Sequence, residues 1–255
     1  MPDGVRSLPL ASSARTVVIE VFARKVFLSG LAVLALLAAA NIAAQFVRYV
    51  LGFTTVFGFI ALFDADAEGN LPTMFSVFLL ACCSALLCAI GASERGRDRR
   101  ASRYWLGLGA VTGYVAIDEG AQIHEPVGNM IHAFFQPGGY LYFAWVIPGM
   151  AVLGVLGIVF FRFVMRLERP LRSRILTAAL LYVGGGLGME LLGANRAATH
   201  GMDLVYAALA AVEETLEEAG ALVLPCALLL HAADIGLKIE TVFGGQARAA
   251  QAAPK

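Results

Sequence analysis

The sequence predicts an all-α integral membrane protein: a bundle of six transmembrane helices with short interfacial helices and both termini cytoplasmic. Hydrophobic residues make up 59% of the chain and charged residues only 15%, and the mean hydropathy is +0.74, values far from those of soluble globular proteins. Six apolar stretches reach the length of about 20 residues that a helix needs to cross roughly 30 Å of hydrocarbon. They are residues 26–47, 72–92, 104–125, 141–161, 175–194 and 208–231.

The distribution of positive charge orients these helices. Of the 19 Lys and Arg residues, 17 lie before the first stretch, after the last, or in the second and fourth connections. The opposite side keeps only Arg48 and Arg196. By the positive-inside rule we predict a bacterial inner (plasma) membrane protein with both termini cytoplasmic.

The same pattern divides the chain into three parts. Residues 1–25 are predicted to form a cytoplasmic N-terminal segment in which residues 14–25 are an amphipathic helix at the interface. Residues 26–235 form the six-helix transmembrane domain, and residues 236–255 form a cytoplasmic, disordered tail. Because the net charge is zero and the arginine runs are short loops, we expect membrane lipids as partners and no nucleic acid.

Acidic residues on three of the predicted helices fall at the same depth. Asp118 lies fourteen residues into the third stretch, Glu190 fifteen residues into the fifth, and Glu217 fourteen residues before the inner end of the sixth at His231. At about 1.5 Å per residue, each is roughly 21 Å from the inner face. A charge at mid-span costs about 2.5–3.5 kcal/mol on insertion scales, so we expect these side chains to face the interior of the bundle.

This acidic layer suggests a divalent metal ion, because oxygen-rich ligand sets suit the hard ions Mn, Fe, Mg or Ca. Such an ion near the outer face could act on a lipid or isoprenoid that enters sideways. We expect catalytic roles for Glu119, Glu190 and Glu217. In a metal-free variant of this chemistry, a protonated carboxyl would act as general acid. The candidate metal ligands are Asp118, Glu119, His124, Glu125, Glu190, Glu214, Glu217 and Glu218.

Other functions remain open on sequence alone. The same carboxylates could carry protons or cations in a transporter or channel, although few ionisable residues continue a path into the inner half and no inverted repeat is apparent. They could also specify helix packing in a membrane scaffold. The substrate would be a hydrophobic small molecule or a cation. We expect neither haem nor a nucleotide, since no histidine pair crosses the bundle and the Gly107, Gly109 and Gly113 spacing does not match a dinucleotide fingerprint.

The outer connections are predicted to cover the acidic layer. Residues 50–63 suit an interfacial or re-entrant segment and residues 126–139 suit a short helix lying on the membrane. The loop at residues 64–70 indicates a solvated turn in which Asn70 caps the second span, or else a weak calcium site or a lid. Tyr140, Tyr142, Phe143 and Trp145 follow residues 126–139, and we expect most of them to form an interfacial belt without a catalytic part. The small-residue pattern also predicts a direct contact between the glycine-rich third and fifth helices.

Two sequence patterns resemble known groups of membrane proteins. Glu213-Glu214 resembles the EExxxR signature of intramembrane CAAX-protease-like proteins, but position 218 is Glu where that signature has Arg. Asp118-Glu119-x4-His124-Glu125 together with Glu213-Glu214-x-x-Glu217 more closely resembles an uncharacterised group of bacterial multi-pass membrane proteins. That resemblance covers most of the chain and implies no activity, so whether the protein is an enzyme stays open.

Overall fold

The computed structural model describes residues 10–67 and 69–237, and their regular structure is entirely helical. The start of the predicted N-terminal segment and nearly all of the predicted tail lie outside these residues. The described elements are α1 (Leu10–Tyr49), α2 (Phe59–Phe63), α3 (Leu71–Glu94), α4 (Arg99–Ala121), α5 (His124–Phe135), a 3₁₀ turn (Gly139–Leu141), α6 (Val146–Arg166), α7 (Arg169–Val183), a π-helical segment (Gly184–Met189), α8 (Glu190–His200) and α9 (Leu204–Asp234).

Five of the described helical stretches are long and apolar enough to cross a membrane: Ile19–Tyr49, Leu71–Glu94, Val146–Arg166, Arg169–His200 and Leu204–Asp234. Each overlaps one of the six predicted stretches. The remaining prediction, residues 104–125, corresponds to α4, whose 23 residues are long enough to span. Its composition is less apolar, because arginines occupy its first turns and Asp118 and Glu119 lie near its end.

Helix α1 is longer than a membrane span. Its 40 residues correspond to about 60 Å, roughly twice the hydrocarbon thickness. Residues 14–25 are helical, as the sequence predicts, but they continue into the apolar part without a break. The contact of α1 with α9 begins at Ala23, whose carbonyl oxygen lies 3.7 Å from Sγ of Cys226. It continues at Gly30, where an added Cβ would overlap Cδ1 of Leu222.

Helix α9 is the central element of the bundle and packs against α1, α3, α7, α8 and the π-helical segment. Small residues allow this close packing. A Cβ on Gly220 would lie 2.6 Å from the backbone nitrogen of Tyr182 and 2.7 Å from the carbonyl oxygen of Ala178. Helices α7 and α9 therefore cross with their backbones nearly in contact, as small residues permit between membrane helices.

Helices α3 and α4 are antiparallel neighbours over their whole length. At one end, a Cβ on Gly91 would lie 2.8 Å from Leu106; at the other, a Cβ on Gly120 would lie 3.4 Å from Val77. Between them, the hydroxyl of Ser84 donates a 2.8 Å hydrogen bond to the carbonyl oxygen of Gly109. The glycines of α4 thus face α3, apart from Gly107, which faces α6.

The predicted contact between the two glycine-rich helices is not formed by these residues. Gly185 and Gly186 of the π-helical segment face α9, and a Cβ added at Gly184 or Gly188 would meet nothing within 4 Å. The small-residue spacing indicated close packing correctly, but it could not identify which neighbour each glycine meets.

Helix α6 lies at the periphery. Within it, only Val146 and Val164 are buried, and Ile158 is 82% exposed. At its C-terminal end it is attached to α4 by stacked rings: the centroids of Tyr104 and Phe163 are 4.9 Å apart with an interplanar angle of 10°. Its N-terminal end forms one wall of the cavity described next.

Candidate functional site: an acidic cavity

A cavity of about 600 Å³ lies between α4, α5, the start of α6, the π-helical segment and the first half of α9. It is strongly acidic. Eight carboxylate residues line it: Asp66, Asp118, Glu119, Glu125, Glu190, Glu213, Glu214 and Glu217. Among the described residues of its lining there is no Lys or Arg, and His124 and His132 are the groups that can carry a positive charge.

The structure brings seven of the eight candidate ligands to this cavity, namely Asp118, Glu119, His124, Glu125, Glu190, Glu214 and Glu217. Glu218 is not among the lining residues. It is 3% exposed, and its Oε1 has no hydrogen-bond partner within the described chain. Successive helical residues point about 100° apart, and Glu218 shares its helix face with Leu222, which packs on α1.

A reversal of the chain places His124 against Asp118. Helix α4 ends at Ala121, four residues before the predicted end, because Gln122 adopts a left-handed conformation with φ of 56°. The backbone N–H of His124 then donates to Asp118 Oδ1 over 3.0 Å, and His124 Nδ1 lies 3.0 Å from Asp118 Oδ2. One carboxylate therefore both begins α5 and orients the imidazole. Pro126 is tolerated in the first turn of α5 because its missing N–H would have no helical partner there.

Among the four aromatic residues of residues 140–145, Trp145 lines the cavity and therefore does more than face the membrane interface. Its Nε1–H donates a 2.7 Å hydrogen bond to Oε1 of Glu190. Its ring centroid is 4.9 Å from that of His124. Trp145 thus connects the two candidate groups and holds the Glu190 carboxylate against the wall formed by the start of α6.

The glutamates of α9 meet the π-helical segment. Glu213 is in hydrogen-bonding contact with Glu190. Glu217, one turn further along α9, lies against Gly186, where a Cβ would be 2.5 Å from Glu217 Oε1. A side chain at position 186 would therefore displace this carboxylate. Two carboxylates in contact repel unless a proton or a cation lies between them.

The connection before α3 closes another side of the cavity. Its buried Asp64 accepts 2.6 Å hydrogen bonds from Gln45 and Arg48, so this part is not a solvated turn. Asn70 caps α3, as predicted, by accepting from the backbone nitrogen of Thr73. This anchoring directs Asp66 to the cavity.

Asp66 accepts a 2.5 Å hydrogen bond there from the hydroxyl of Tyr206. Burial raises the pKa of Asp66. Asp66, like Tyr206, was absent from the candidate site residues, and no spacing signal joins positions 140 residues apart. Glu213, also absent, could have been found from its (i, i+4) relation to Glu217.

The carboxylates surround the cavity rather than converge on one point. Within residues 10–67 and 69–237, no group of three or more His, Cys, Asp or Glu side chains is arranged so that it could hold a metal ion. The predicted ligands therefore share a cavity without forming a ready-made coordination sphere. This geometry distributes carboxyl groups over the wall of a space large enough for a small organic molecule.

Helices of this length and composition, with an acidic cavity among them, define a multi-pass membrane protein. A family model described as Domain of unknown function (DUF8692) matches residues 26–232. The chain belongs to that family. No curated protein and no solved structure matches the chain.

Proposed function

We propose that this protein binds an amphiphilic organic cation in the acidic cavity. The observation that carries the proposal is the lining itself: eight carboxylates and no Lys or Arg among the described residues around about 600 Å³. Negative charge concentrated in a site of low dielectric attracts positive charge strongly and disfavours anions. Cavities of 300–1,000 Å³ are typical of small-molecule sites.

Three features support an organic cation rather than a bare ion. The carboxylates are spread over the wall, which suits a ligand with several contact points. Aromatic side chains accompany them, namely Tyr142, Phe143, Trp145, Tyr182 and Tyr206, and such rings attract alkylammonium groups through cation–π interactions. The cavity also contains apolar lining from Val183 and Leu187, against which a hydrocarbon portion can pack.

The peripheral position of α6 supports access from the membrane. Its surface is apolar and exposed, with Val152 57% and Val155 60% exposed, and its N-terminal end contributes Trp145 and Gly149 to the cavity. An amphiphile lying along α6 would have its polar group at the level of the carboxylates. The proposed ligand is therefore a hydrophobic amine or quaternary ammonium compound drawn from the lipid phase.

We further propose six transmembrane spans, with α4 as the third, both termini cytoplasmic and the cavity on the outer side of a bacterial inner membrane. The antiparallel packing of α4 along the full length of α3 supports this topology, since a helix that accompanies a spanning neighbour from end to end spans as well. The distribution of Lys and Arg supports the orientation. Alkaline phosphatase and green fluorescent protein fusions at the C-terminus test it: fluorescence without phosphatase activity is expected, and the reverse contradicts it.

Divalent metal binding is the second candidate, and one contact favours it. Asp118 holds Nδ1 of His124, an arrangement that commonly orients histidine ligands toward a metal. Side-chain rearrangement of Glu119, Glu190 and Glu217 would have to complete the ligand set. Catalysis on a lipid or isoprenoid is proposed only for this second case, with those three glutamates as the reactive carboxylates.

One experiment separates the two candidates. The purified protein in detergent micelles is titrated with tetraphenylphosphonium, a hydrophobic cation, and separately with Mn²⁺, for the wild type and the Glu190→Gln and Glu217→Gln variants. Glu168→Gln is the matched control, because Glu168 is exposed just before α7, far from the cavity. Helicity and elution volume verify folding.

We expect both cavity variants to weaken tetraphenylphosphonium binding at least about tenfold, since a carboxylate about 6 Å from the phosphorus attracts the cation by roughly 3 kcal/mol at an effective dielectric constant of about 20. The control should bind like the wild type. Equal binding by all four proteins contradicts the organic-cation proposal. Stoichiometric Mn²⁺ that disappears in the two cavity variants, without tetraphenylphosphonium binding, would favour the metal site instead.

A further inference from the structure

A second, smaller cavity lies at the opposite end of α4 and α6 from the acidic one. Its volume is about 230 Å³, and it is lined by Asp98, Arg100, Ala101, Tyr104, Arg162, Phe163, Arg166 and Leu167. Asp118 is eighteen residues beyond Arg100 on α4, so the two cavities are about 27 Å apart along the helix axis. This separation is close to the roughly 30 Å thickness of the hydrocarbon layer.

The charge of this cavity is the opposite of the first. Three arginines and one aspartate give its lining a net charge of +2. The aspartate is occupied locally: Oδ1 of Asp98 accepts hydrogen bonds from the backbone nitrogens of Arg100 and Ala101, at 2.7 and 3.1 Å. These bonds lower the pKa of Asp98. Within residues 10–67 and 69–237, none of the three guanidinium groups is in an ion pair.

The floor of the cavity is rigid and apolar. Tyr104 and Phe163 are stacked, with ring centroids 4.9 Å apart, and Trp105 meets Phe163 edge-on at 5.1 Å. These rings fix the spacing between α4 and α6 and therefore between Arg100 on one helix and Arg162 and Arg166 on the other. Arginines held on two helices around a small space suit a tetrahedral anion, because guanidinium groups bind phosphate oxygens in a bidentate manner.

The geometry points to a binding site for a phosphate group at this end of the bundle. A lipid headgroup is one source, since basic pockets between transmembrane helices on the cytoplasmic side are suited to anionic headgroups. The exposed apolar residues of α6 above the cavity, including Ile158 and Phe161, would accommodate acyl chains. A soluble phosphate is the other source. In either case the phosphate group would make the same contacts with the arginines.

The test is lipid binding by the full-length protein in micelles of a zwitterionic detergent, followed by native mass spectrometry. The lipid probes are phosphatidylglycerol and phosphatidylcholine. In a separate arm, millimolar inorganic phosphate is added without lipid, and its binding is measured by thermal stabilisation. The Arg162→Gln/Arg166→Gln variant is compared with Arg95→Gln/Arg174→Gln. Arg95 and Arg174 are exposed arginines outside the cavity, so the control removes the same charge.

We expect the cavity variant to bind the phosphate probes at least about tenfold more weakly, because it loses charge-assisted contacts. The control should stay within twofold of the wild type. Preferential loss of phosphatidylglycerol binding identifies a lipid as the source, and loss of stabilisation by inorganic phosphate identifies a soluble anion. Equal losses in both variants, or no binding of either phosphate probe to the wild type, would overturn the site. An Arg162→Lys/Arg166→Lys variant keeps the charge and provides the comparison if the glutamine variant does not fold; it should bind more weakly than the wild type.

Discussion

The glycines of the π-helical segment allow helix packing and cavity geometry to be tested separately. Alanine substitutions at Gly184, Gly185, Gly186 and Gly188 add one methyl group each within five residues. A Cβ at 185 would lie 2.8 Å from the carbonyl oxygen of Glu213 and 3.0 Å from Cγ of Glu217. A Cβ at 186 would instead lie 2.5 Å from the Glu217 carboxylate. A Cβ at 184 or 188 would meet no atom within 4 Å.

The expected effects follow from what each methyl group meets. The methyl group of Gly185→Ala would lie too close to the backbone of α9 at Glu213. Helix α9 must therefore move by a few tenths of an ångström or more to restore ordinary contacts of about 3.5–4.0 Å. Overpacking of this kind costs about 1–3 kcal/mol, offset by about 0.8–1.0 kcal/mol from the better helix propensity of alanine. We therefore expect a net loss of about 1 kcal/mol, or about 2–4 °C in melting temperature for a chain of this size.

Gly186→Ala should behave differently, because a carboxylate at the end of a side chain can rotate away. Its melting temperature should stay near that of the wild type, while tetraphenylphosphonium affinity falls as Glu217 is displaced. Gly184→Ala and Gly188→Ala should preserve both properties or raise the melting temperature slightly. Thermal unfolding in micelles and cation titration measure the two effects. If Gly185→Ala melts no lower than Gly184→Ala, the close packing of α9 on this segment is refuted.

Three further predictions concern other parts of the molecule. Binding of an organic cation should change the tryptophan fluorescence through Trp145, so Trp145→Phe should abolish the change. Trp105→Phe, which is remote from the acidic cavity, should retain it. Asn70→Ala should lower the free energy of unfolding by about 1 kcal/mol through loss of a helix cap, measured by thermal melting. The Arg196 guanidinium holds the pKa of Asp203 well below its usual range, so this interaction stabilises the fold above the unfolded pKa of about 3.9 and is lost as pH falls through the folded value. Asp203→Asn should therefore melt below the wild type at neutral pH, and the difference should shrink in melting curves recorded below about pH 4.

The sequence predicted the helices well where apolar length alone determines them. The starts and ends of α3 and α9 differ from the predicted spans by only a few residues. The end of α4 was less predictable, because a polar stretch around Gln122 is equally compatible with a further helical turn and with a reversal. Only the left-handed conformation at Gln122 decides this, and it returns His124 to Asp118.

Depth along the helices was predictable, whereas rotation about their axes was not. Counting residues placed Asp118, Glu190 and Glu217 at one level, since the rise per residue hardly depends on which face is buried. Rotation depends on neighbours: Glu218 faces away because the adjoining face of α9 packs on α1. The π-helical segment also changes the direction in which Glu190 points, because it has more residues per turn than an α-helix. A calculation at 100° per residue cannot predict this rotation. Asp66 comes from a loop whose position depends on tertiary contacts alone.

Helix α4 has its charges in the order that helix stability disfavours. Arginines occupy its first turn and Asp118 and Glu119 its last, although the helix dipole favours acidic groups at the start and basic groups at the end, by about 0.3–1 kcal/mol each. Such local conflicts are expected where residues serve function. The orientation rule accounts for the arginines, and the hydrogen bonds of Asp118 to the start of α5 offset part of its cost.

The two proposed ligands would remove the rest of this conflict. A phosphate group among Arg100 and its partners would place negative charge at the beginning of α4, and a cation near Asp118 and Glu119 would place positive charge at its end. Each ligand would therefore complement the dipole of the helix that connects the two cavities. Both should raise the melting temperature of the protein, and an effect of either ligand on the affinity for the other must be reciprocal.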